Sequence, residues 1–251
     1  MKTIFGLRSQ WRDVLARIEK LERSVSGLGG IVDVLLAEDP SYRPNIDLGM
    51  NGQHRRKAVV ADLFARLRFN CVIETGTYLG ATTGYFATEF GVPVYSCELV
   101  ARNFNVARRL LNKLSNVHLH LQDSRSFLRM LTQDTQIVAG RPFIYLDAHW
   151  YEDLPLADEL DIIAPVWKDY VILVDDFQVP GDAGYGYDDY GPGKSLSLEY
   201  LRPVLDRHGL SVFFPEIRAE DETGKKRGYC IITSPGASQT AAQECPLLKG
   251  G

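Results

Sequence analysis

The chain has 251 residues, 45% of them hydrophobic and 24% charged, and a net charge of −4. This length fits one large globular domain or two small ones, and such a core needs no disulfide or metal to fold. The acidic balance and the scattered arginines argue against a nucleic-acid partner, and no apolar run reaches the roughly 18 residues of a membrane span. With four cysteines in no C-x-x-C pair and no signal-peptide pattern, we expect a cytoplasmic protein with no membrane or nucleic-acid partner.

The first part of the chain predicts an N-terminal helical extension over residues 1–52. Apolar residues recur at helical spacing from Trp11 to Leu21, with charged residues between them. We expect this stripe to dock on the chain's own domain or, in a homodimer, on a partner chain. Residues 38–52 have the composition of a loop, and residues 53–68 predict a further helix.

From residue 71 onward, predicted strands alternate with predicted helices. The strands are 71–74, 94–98, 117–121, 143–147 and 171–175, followed by a pair at 210–217 and 228–233. The helices are 82–90, 101–114, 125–131, 155–166 and 197–207. Continuous apolar strands indicate a sheet buried on both faces. We therefore predict a Rossmann-like, doubly wound α/β domain over residues 53–233, with a seven-stranded, mostly parallel sheet closed by an antiparallel pair, and a C-terminal tail over 234–251.

The loop after the first strand is the most informative motif. The strand ends in Glu74, and small residues including Gly76 and Gly80 lead into the next helix. The dinucleotide fingerprint has a glycine where this chain has Glu74, so an NAD-dependent enzyme is the least favoured reading. An acid at this position suits a ligand that is cationic or rich in hydroxyl and amine donors, such as S-adenosylmethionine.

Polar or acidic residues follow each of the five strands expected to be parallel, at the sheet edge where ligands bind. Glu98 lies 22 residues after Gly76 and ends the adjacent strand, a position suited to binding a ribose diol. Asp123 and Ser124 follow the third strand, where they could meet an adenine amine. For Asp123 the alternative is the N-cap of the next helix.

Three carboxylates are expected to meet after the fourth and fifth strands: Asp147, Asp175 and Asp176. Like charges this close are costly, and a divalent cation would resolve the repulsion. Oxygen donors without a Cys or His pattern favour Mg²⁺, with Mn²⁺ or Ca²⁺ as other choices. His149 is a candidate general base beside this site. The alternatives are a turn cap for the carboxylates and a structural role for His149.

A long segment, 180–194, follows the fifth strand and carries three tyrosines among glycines and acids: Tyr185, Tyr187 and Tyr190. Loops of this length are uncommon unless they are functional or disordered. We predict a flap over the side of the site where a substrate that accepts a transferred group would bind, and a simple mobile loop is the alternative.

In this order and spacing, the motifs resemble class I S-adenosylmethionine-dependent methyltransferases, in particular the metal-dependent O-methyltransferases of small molecules. The first-loop motif, Glu98, and the segments around Asp147 and Asp175 are similar to that family over residues 53–233. Catechol-type and macrolide or aminocoumarin sugar-type enzymes are the similar branches. The sugar-type branch matches at Asp147, Tyr151, Glu152, Asp175 and Asp176. The chain departs at His149, where that branch has Asp, and it has no clear counterpart of the catechol-type catalytic lysine.

The resemblance implies methyl transfer from S-adenosylmethionine to a hydroxyl of a sugar or natural-product-like small molecule, assisted by Mg²⁺. It implies Asp147 and His149 as catalytic residues and Asp147, Asp175 and Asp176 as metal ligands. The implied cofactor-binding residues are Glu74, Thr75, Gly76, Thr77, Gly80, Thr82, Glu98, Asp123, Ser124 and Asp147. Two alternatives stay open: a metal-independent methyltransferase acting on nitrogen or oxygen, and a non-catalytic nucleoside-binding or scaffold protein.

Overall fold

One sheet of eight strands organises the protein, and the computed structural model describes residues 46–149 and 153–251. The strands are β1 Cys71–Thr75, β2 Val94–Glu98, β3 Val117–Leu121, β4 Pro142–Leu146, β5 Val171–Asp175, β6 Ser211–Pro215, β7 Tyr229–Thr233 and β8 Leu248–Gly250. Their order is β3-β2-β1-β4-β5-β7-β6-β8. Strands β1 to β5 pair in parallel, whereas β7 runs antiparallel to β5 and β6, and β6 runs antiparallel to β8.

Helices cover both faces of this sheet. They are α1 His54–Arg66, α2 Ala81–Glu89, α3 Ala101–Leu110, α4 Ser124–Leu131, α5 Thr135–Val138, α6 Leu156–Ile163, α7 Leu198–His208 and α8 Ala237–Glu244. Apolar side chains of α4, α6 and α7 pack in one core, and those of α1, α2 and α8 pack in a second core on the opposite face. Every residue of β1, β4, β5 and β7 is buried. The predicted Rossmann-like, doubly wound α/β fold is confirmed.

The sheet has one strand more than predicted, and the C-terminal residues form part of it. Within residues 234–251, α8 packs against β7 and β8, and β8 pairs with β6. Short elements produce weak sequence patterns, because a strand of three residues and a helix of eight show hardly more than one period. Residues 234–251, which were predicted as a C-terminal tail, therefore contain α8 and β8.

Two further predictions concern the N-terminal apolar stripe and the membrane-spanning potential of the chain. The apolar stripe from Trp11 to Leu21 lies outside the described residues, as do Tyr151 and Glu152. In the described part of the chain, no helix combines the length and the apolar character needed to cross a membrane.

The order in which the chain adds strands to the sheet reverses at β1, although the strands on both sides of β1 are parallel to it. From β1 the chain first proceeds outward to β2 and β3, and then returns to β4 on the other side of β1. In doubly wound sheets, the crevice for ligands opens at such a switch point, outside the carboxyl ends of the strands. The register places Thr75 beside both Cys97 of β2 and Leu146 of β4, so the loops that follow these three strands start side by side.

Candidate functional site

The first loop is held tightly between its two neighbouring strands. The backbone N–H groups of Gly76 and Thr77 both donate to the carbonyl of Cys97, at 3.0 Å each. Gly76 has φ of 88°, and a Cβ there would lie 2.3 Å from the carbonyl oxygen of Asp147. Only glycine fits this close approach. The contact places the predicted cofactor loop directly against the start of the predicted metal site.

Glu74 lies inside the protein, beneath this loop. One carboxylate oxygen accepts hydrogen bonds from the hydroxyls of Thr83 and Ser96. The other is buried and has no hydrogen-bond partner in the described part of the chain. Burial raises the pKa of Glu74 to about 7, against the opposing effect of the two hydroxyls. Glu74 therefore has a structural role at the base of the loop, and a direct contact with the cofactor stays a prediction.

Glu74 makes stability depend on pH. Because its folded-state pKa of about 7 exceeds the ordinary value of 4.5, its contribution is full below 4.5 and is lost as the pH rises to about 7. We expect the free energy of unfolding to fall over this interval in the wild type and less steeply in Glu74→Gln, whose amide does not titrate. Urea unfolding from pH 5 to pH 8 measures the difference. Parallel pH profiles for the two proteins would contradict this account.

Glu98 lies beside the first loop, as predicted. One carboxylate oxygen accepts from the N–H of Tyr78 and the other from the N–H of Val100, both at 2.8 Å. A carboxylate has about four acceptor sites, so each oxygen can accept one more hydrogen bond. Leu99 and Tyr78 are exposed on either side of this group. An acidic group flanked by exposed apolar side chains suits a nucleoside, which combines hydroxyl donors with an apolar ring.

Several other predicted cofactor residues are engaged within the protein. Asp123 is the N-cap of α4: its carboxylate accepts from the N–H groups of Arg125 and Ser126 and also pairs with the Arg125 guanidinium. These contacts lower the pKa of Asp123, the Arg125 side chain contributing most. The alternative of a helix cap therefore describes its present contacts, and binding of adenine stays a prediction. The Thr77 hydroxyl bonds to that of Ser96 at 2.6 Å.

Thr75 and Ser124 are buried around a carboxyl group that the sequence analysis missed. Glu159 of α6 is also buried, and one of its oxygens has no hydrogen-bond partner. Burial raises the pKa of Glu159 to about 7, against the opposing effect of the hydroxyls of Ser124 and Thr75. In the sequence, Glu159 could have been recognised only as a charged residue on the otherwise apolar inner face of the predicted helix.

The structure brings together Asp147, His149 and Asp176. One donor atom from each lies within 4.8 Å of the other two. The Nε2 atom of His149 is 3.8 Å from an oxygen of Asp147 and 3.9 Å from an oxygen of Asp176. His149 is only 6% exposed, and its Nε2 has no hydrogen-bond partner among the residues that the structure describes. A buried polar atom without a partner is costly, so the arrangement suits a cation or a proton held between these groups.

Asp175 does not join this cluster, which corrects the predicted set of three carboxylate ligands. Its side chain is 2% exposed, pairs with Arg56 of α1 at 2.6 Å, and accepts hydrogen bonds from Asn51 and the Tyr145 hydroxyl. Successive residues of a strand point to opposite faces of the sheet. Asp175 therefore points to the face that α1 covers, and Asp176, just beyond the strand, points to the cluster.

Asp188 and Arg227 also belong to the site, and the sequence analysis assigned neither. An oxygen of Asp188 lies 3.7 Å from Nε2 of His149. The Arg227 guanidinium bridges Asp176 and Asp188. Burial alone would raise the pKa of Asp176, but His149 and Arg227 outweigh it and lower this pKa to about 2. Desolvation and the neighbouring carboxylates, Asp175 and Asp176, raise the pKa of Asp147, although 35% of its side chain is exposed.

The predicted flap is an ordered connection tied to the site. The N–H of Asp188 donates to the carbonyl of Asp176 at 2.9 Å. Gly186 donates to the carbonyl of Lys226 and accepts from the N–H of Gly228, the two neighbours of Arg227. Tyr185 is buried and donates to the carbonyl of Ile217, so its ring packs inside the protein. The Tyr190 hydroxyl donates to Asp188, beside the cluster.

Comparisons with known proteins concern the architecture of the chain. No family model and no curated protein matches it. Among solved structures, it is similar to an O-methyltransferase from Bacillus cereus in complex with SAH, at 14% identity over 71% of this chain and 80% of that one, with a TM-score of 0.49. It is also similar to a putative O-methyltransferase from Klebsiella pneumoniae, at 18% identity over 72% and 80%, with a TM-score of 0.49.

A third similar structure is a SAM-dependent methyltransferase from Aquifex aeolicus, at 17% identity over 78% of this chain and 93% of that one, with a TM-score of 0.47. Unrelated functions share one fold, so function has to be argued from the residues of the site.

Proposed function

We propose that this chain transfers a methyl group from S-adenosylmethionine to a hydroxyl of a small molecule, at a divalent cation held by Asp147, Asp176 and His149. The observation that carries the proposal is the buried Nε2 of His149. It has no hydrogen-bond partner within residues 46–149 and 153–251, and it faces two carboxylates directly beside the first loop. A donor and an acceptor bound in these adjacent places would be held close together, and positioning of this kind can supply much of the rate enhancement.

The donor set fits a divalent cation. Two carboxylates and a neutral imidazole nitrogen are all metal ligands, and the negative charges of Asp147, Asp176 and Asp188 exceed the single positive charge of Arg227 by two. Carboxylates suit Mg²⁺ and Mn²⁺, whereas imidazole is a ligand of first-row transition metals. His149 in place of Asp175 therefore shifts the preference from the predicted Mg²⁺ toward Mn²⁺. When bound, the cation would lower the pKa of the acceptor hydroxyl.

The cofactor would lie between the first loop and Glu98. Gly76 lets the first loop lie against the backbone carbonyl of Asp147, and Glu98 can accept hydrogen bonds from ribose hydroxyls. Exposed Leu99 offers an apolar contact for the adenine ring. These groups support a nucleoside ligand. A phosphate is disfavoured, because β1 carries the acid Glu74 where the dinucleotide-binding fingerprint has its first glycine.

In the proposed reaction, the bond between sulfur and the methyl carbon breaks and its electron pair stays on sulfur. The acceptor oxygen forms the new bond to carbon and loses its proton. His149 cannot both hold the cation and accept that proton through Nε2. We therefore propose Asp188, which is partly exposed beside His149, as the group that receives the proton.

Calorimetry and a methyl-transfer assay test the proposal. We expect the wild type to bind S-adenosylhomocysteine, the product of methyl transfer, and to bind Mn²⁺ more tightly than Mg²⁺. Labelled S-adenosylmethionine with a panel of catechols and sugars should give a methylated product, and a chelator should abolish it. Absence of S-adenosylhomocysteine binding would refute the methyltransferase proposal.

A metal-independent methyltransferase is the second candidate, and Arg227 favours it. Its guanidinium already bridges Asp176 and Asp188 and could supply the positive charge that a cation would otherwise provide. Metal analysis of the purified protein separates the two candidates. Methyl transfer that persists in chelator and is lost in Arg227→Gln would support this one.

A further inference from the structure

We infer that Asp175 is a positioning residue for the cofactor site: it holds Asn51, and through Asn51 it fixes residues 46–52 as a wall of the cleft. This inference rests on the proposed function, since it concerns how the same site binds S-adenosylmethionine. Sequence patterns place Asp175 among metal ligands, and its contacts place it elsewhere.

The carboxylate of Asp175 has no capacity left for a cation. Arg56 donates to it at 2.6 Å, the N–H of Asp176 at 2.7 Å and the Asn51 amide at 3.0 Å, and the Tyr145 hydroxyl donates as well. Four donors match the roughly four acceptor sites of a carboxylate. A metal ligand at this position would have to break this buried network.

The segment that Asp175 holds has an unfavourable backbone. Met50 and Asn51 have φ of 52° and 62°, in the left-handed region. Asparagine tolerates this region better than most residues, whereas a long apolar residue such as methionine rarely adopts it. Such a conformation persists only where surrounding contacts fix it. Those contacts are the Asn51 side chain on Asp175, the Asn51 carbonyl accepting from Lys225 at 2.9 Å, and the fully buried Met50.

The other side of this segment rests on the start of α2. The N–H of Met50 donates to the Thr82 hydroxyl at 3.0 Å, and a Cβ on Gly49 would lie 3.0 Å from the carbonyl oxygen of Ala81. Residues 46–52 thus connect the end of β5 with the helix that follows β1. Strand β4 lies between β1 and β5, so the segment borders the sheet edge from which Asp147 projects. The part of the cofactor nearest the methyl group would lie against it.

Two exchanges at Asn51 test the inference without disturbing the buried pair of Asp175 and Arg56. Asn51→Ala removes the amide. Asn51→Asp keeps the size and tolerates the left-handed backbone, but it cannot donate to Asp175 and adds a like charge. Asn105→Asp, on the exposed surface of α3, is the matched control for the added charge. S-Adenosylhomocysteine and Mn²⁺ are titrated by calorimetry, and exchange of the Met50 amide is followed by NMR.

We expect both Asn51 variants to bind S-adenosylhomocysteine at least tenfold more weakly, with Mn²⁺ affinity unchanged and Met50 amide exchange at least tenfold faster. Asn105→Asp should match the wild type. Affinity for S-adenosylhomocysteine within twofold of the wild type in both Asn51 variants would overturn the inference. Loss of Mn²⁺ binding in the Asp175→Asn variant would also overturn the inference, provided that circular dichroism shows the variant to be folded. Asp175 would then be a metal ligand.

The same experiment separates failure of the inference from failure of the proposed function. If the wild type itself binds no S-adenosylhomocysteine, the proposed function fails, and the part of the inference that concerns the cofactor fails with it. Met50 amide exchange then still decides whether Asn51 positions the segment. Unchanged exchange in both variants refutes the positioning role whatever the ligand.

Discussion

Asparagine in place of Asp147 is expected to lower Mn²⁺ affinity and the rate of methyl transfer by about 100-fold or more. Loss of a group that merely supports a metal ligand typically costs 10-fold to 100-fold, and loss of a direct ligand should cost at least as much. Asp147 is one of the two carboxylates that hold the cation with His149 in this proposal, so a neutral amide removes one of the two anionic ligands. Calorimetry with Mn²⁺ and initial rates of methyl transfer measure the effect.

Asp189→Asn is the matched control, because Asp189 is exposed and follows directly after Asp188 in the chain. It should leave Mn²⁺ affinity and rate unchanged. Binding of S-adenosylhomocysteine should persist in Asp147→Asn, since the side chain serves the cation in this proposal. If Asp147→Asn retains Mn²⁺ affinity within threefold of the wild type, the cation does not bind at this cluster.

The largest effect on stability is expected at Arg56, not in the metal cluster. Arg56→Met should lower the free energy of unfolding by about 3–5 kcal/mol, the usual cost of removing one partner of a buried ion pair. Asp175 would stay buried without the positive charge of Arg56, and the hydrogen bond of Arg56 to the carbonyl of Arg227 at 2.6 Å would be lost too. Urea unfolding measures the change, with the slope of the transition confirming a two-state process.

Arg66→Met provides the comparison within the same helix. Arg66 pairs with Asp62 one turn earlier at 2.6 Å, in a position open to solvent. Exposed pairs contribute little to stability, so its loss should have only a small fraction of the effect at Arg56. Equal changes in the two variants would mean that the burial of Asp175 carries no energetic weight.

The sheet could be predicted from the sequence because its strands are buried on both faces. Continuous apolar runs then coincide with the strands themselves, and the predicted bounds of β2, β3 and β5 match the structure residue for residue. The parallel order of β1 and β2 also put Glu98 beside the first loop, since the carboxyl ends of adjacent parallel strands share one edge.

The contents of the site were harder to predict, for two physical reasons. Arg227 and Asp188 are 39 residues apart and meet only because the β6–β7 connection folds back on the segment after β5. No spacing in the sequence encodes such a contact. The prediction that Asp175 joins Asp176 at the metal site differs from the structure for a second reason. Both were read as one acidic pair, whereas alternation along the strand and the left-handed φ of 51° at Asp176 send them to opposite sides of the sheet.

The short strand β8 has a protective consequence for the whole protein. It pairs with β6, whose Phe213 and Phe214 are buried, and it becomes the outermost strand on that side with only three residues. An uncovered apolar edge strand is a template for pairing with other chains and for aggregation. A brief edge with an exposed Lys249 offers little to such pairing. Residues 234–251, whose sequence pattern is weak, thus cover an edge of the sheet that would otherwise favour self-association.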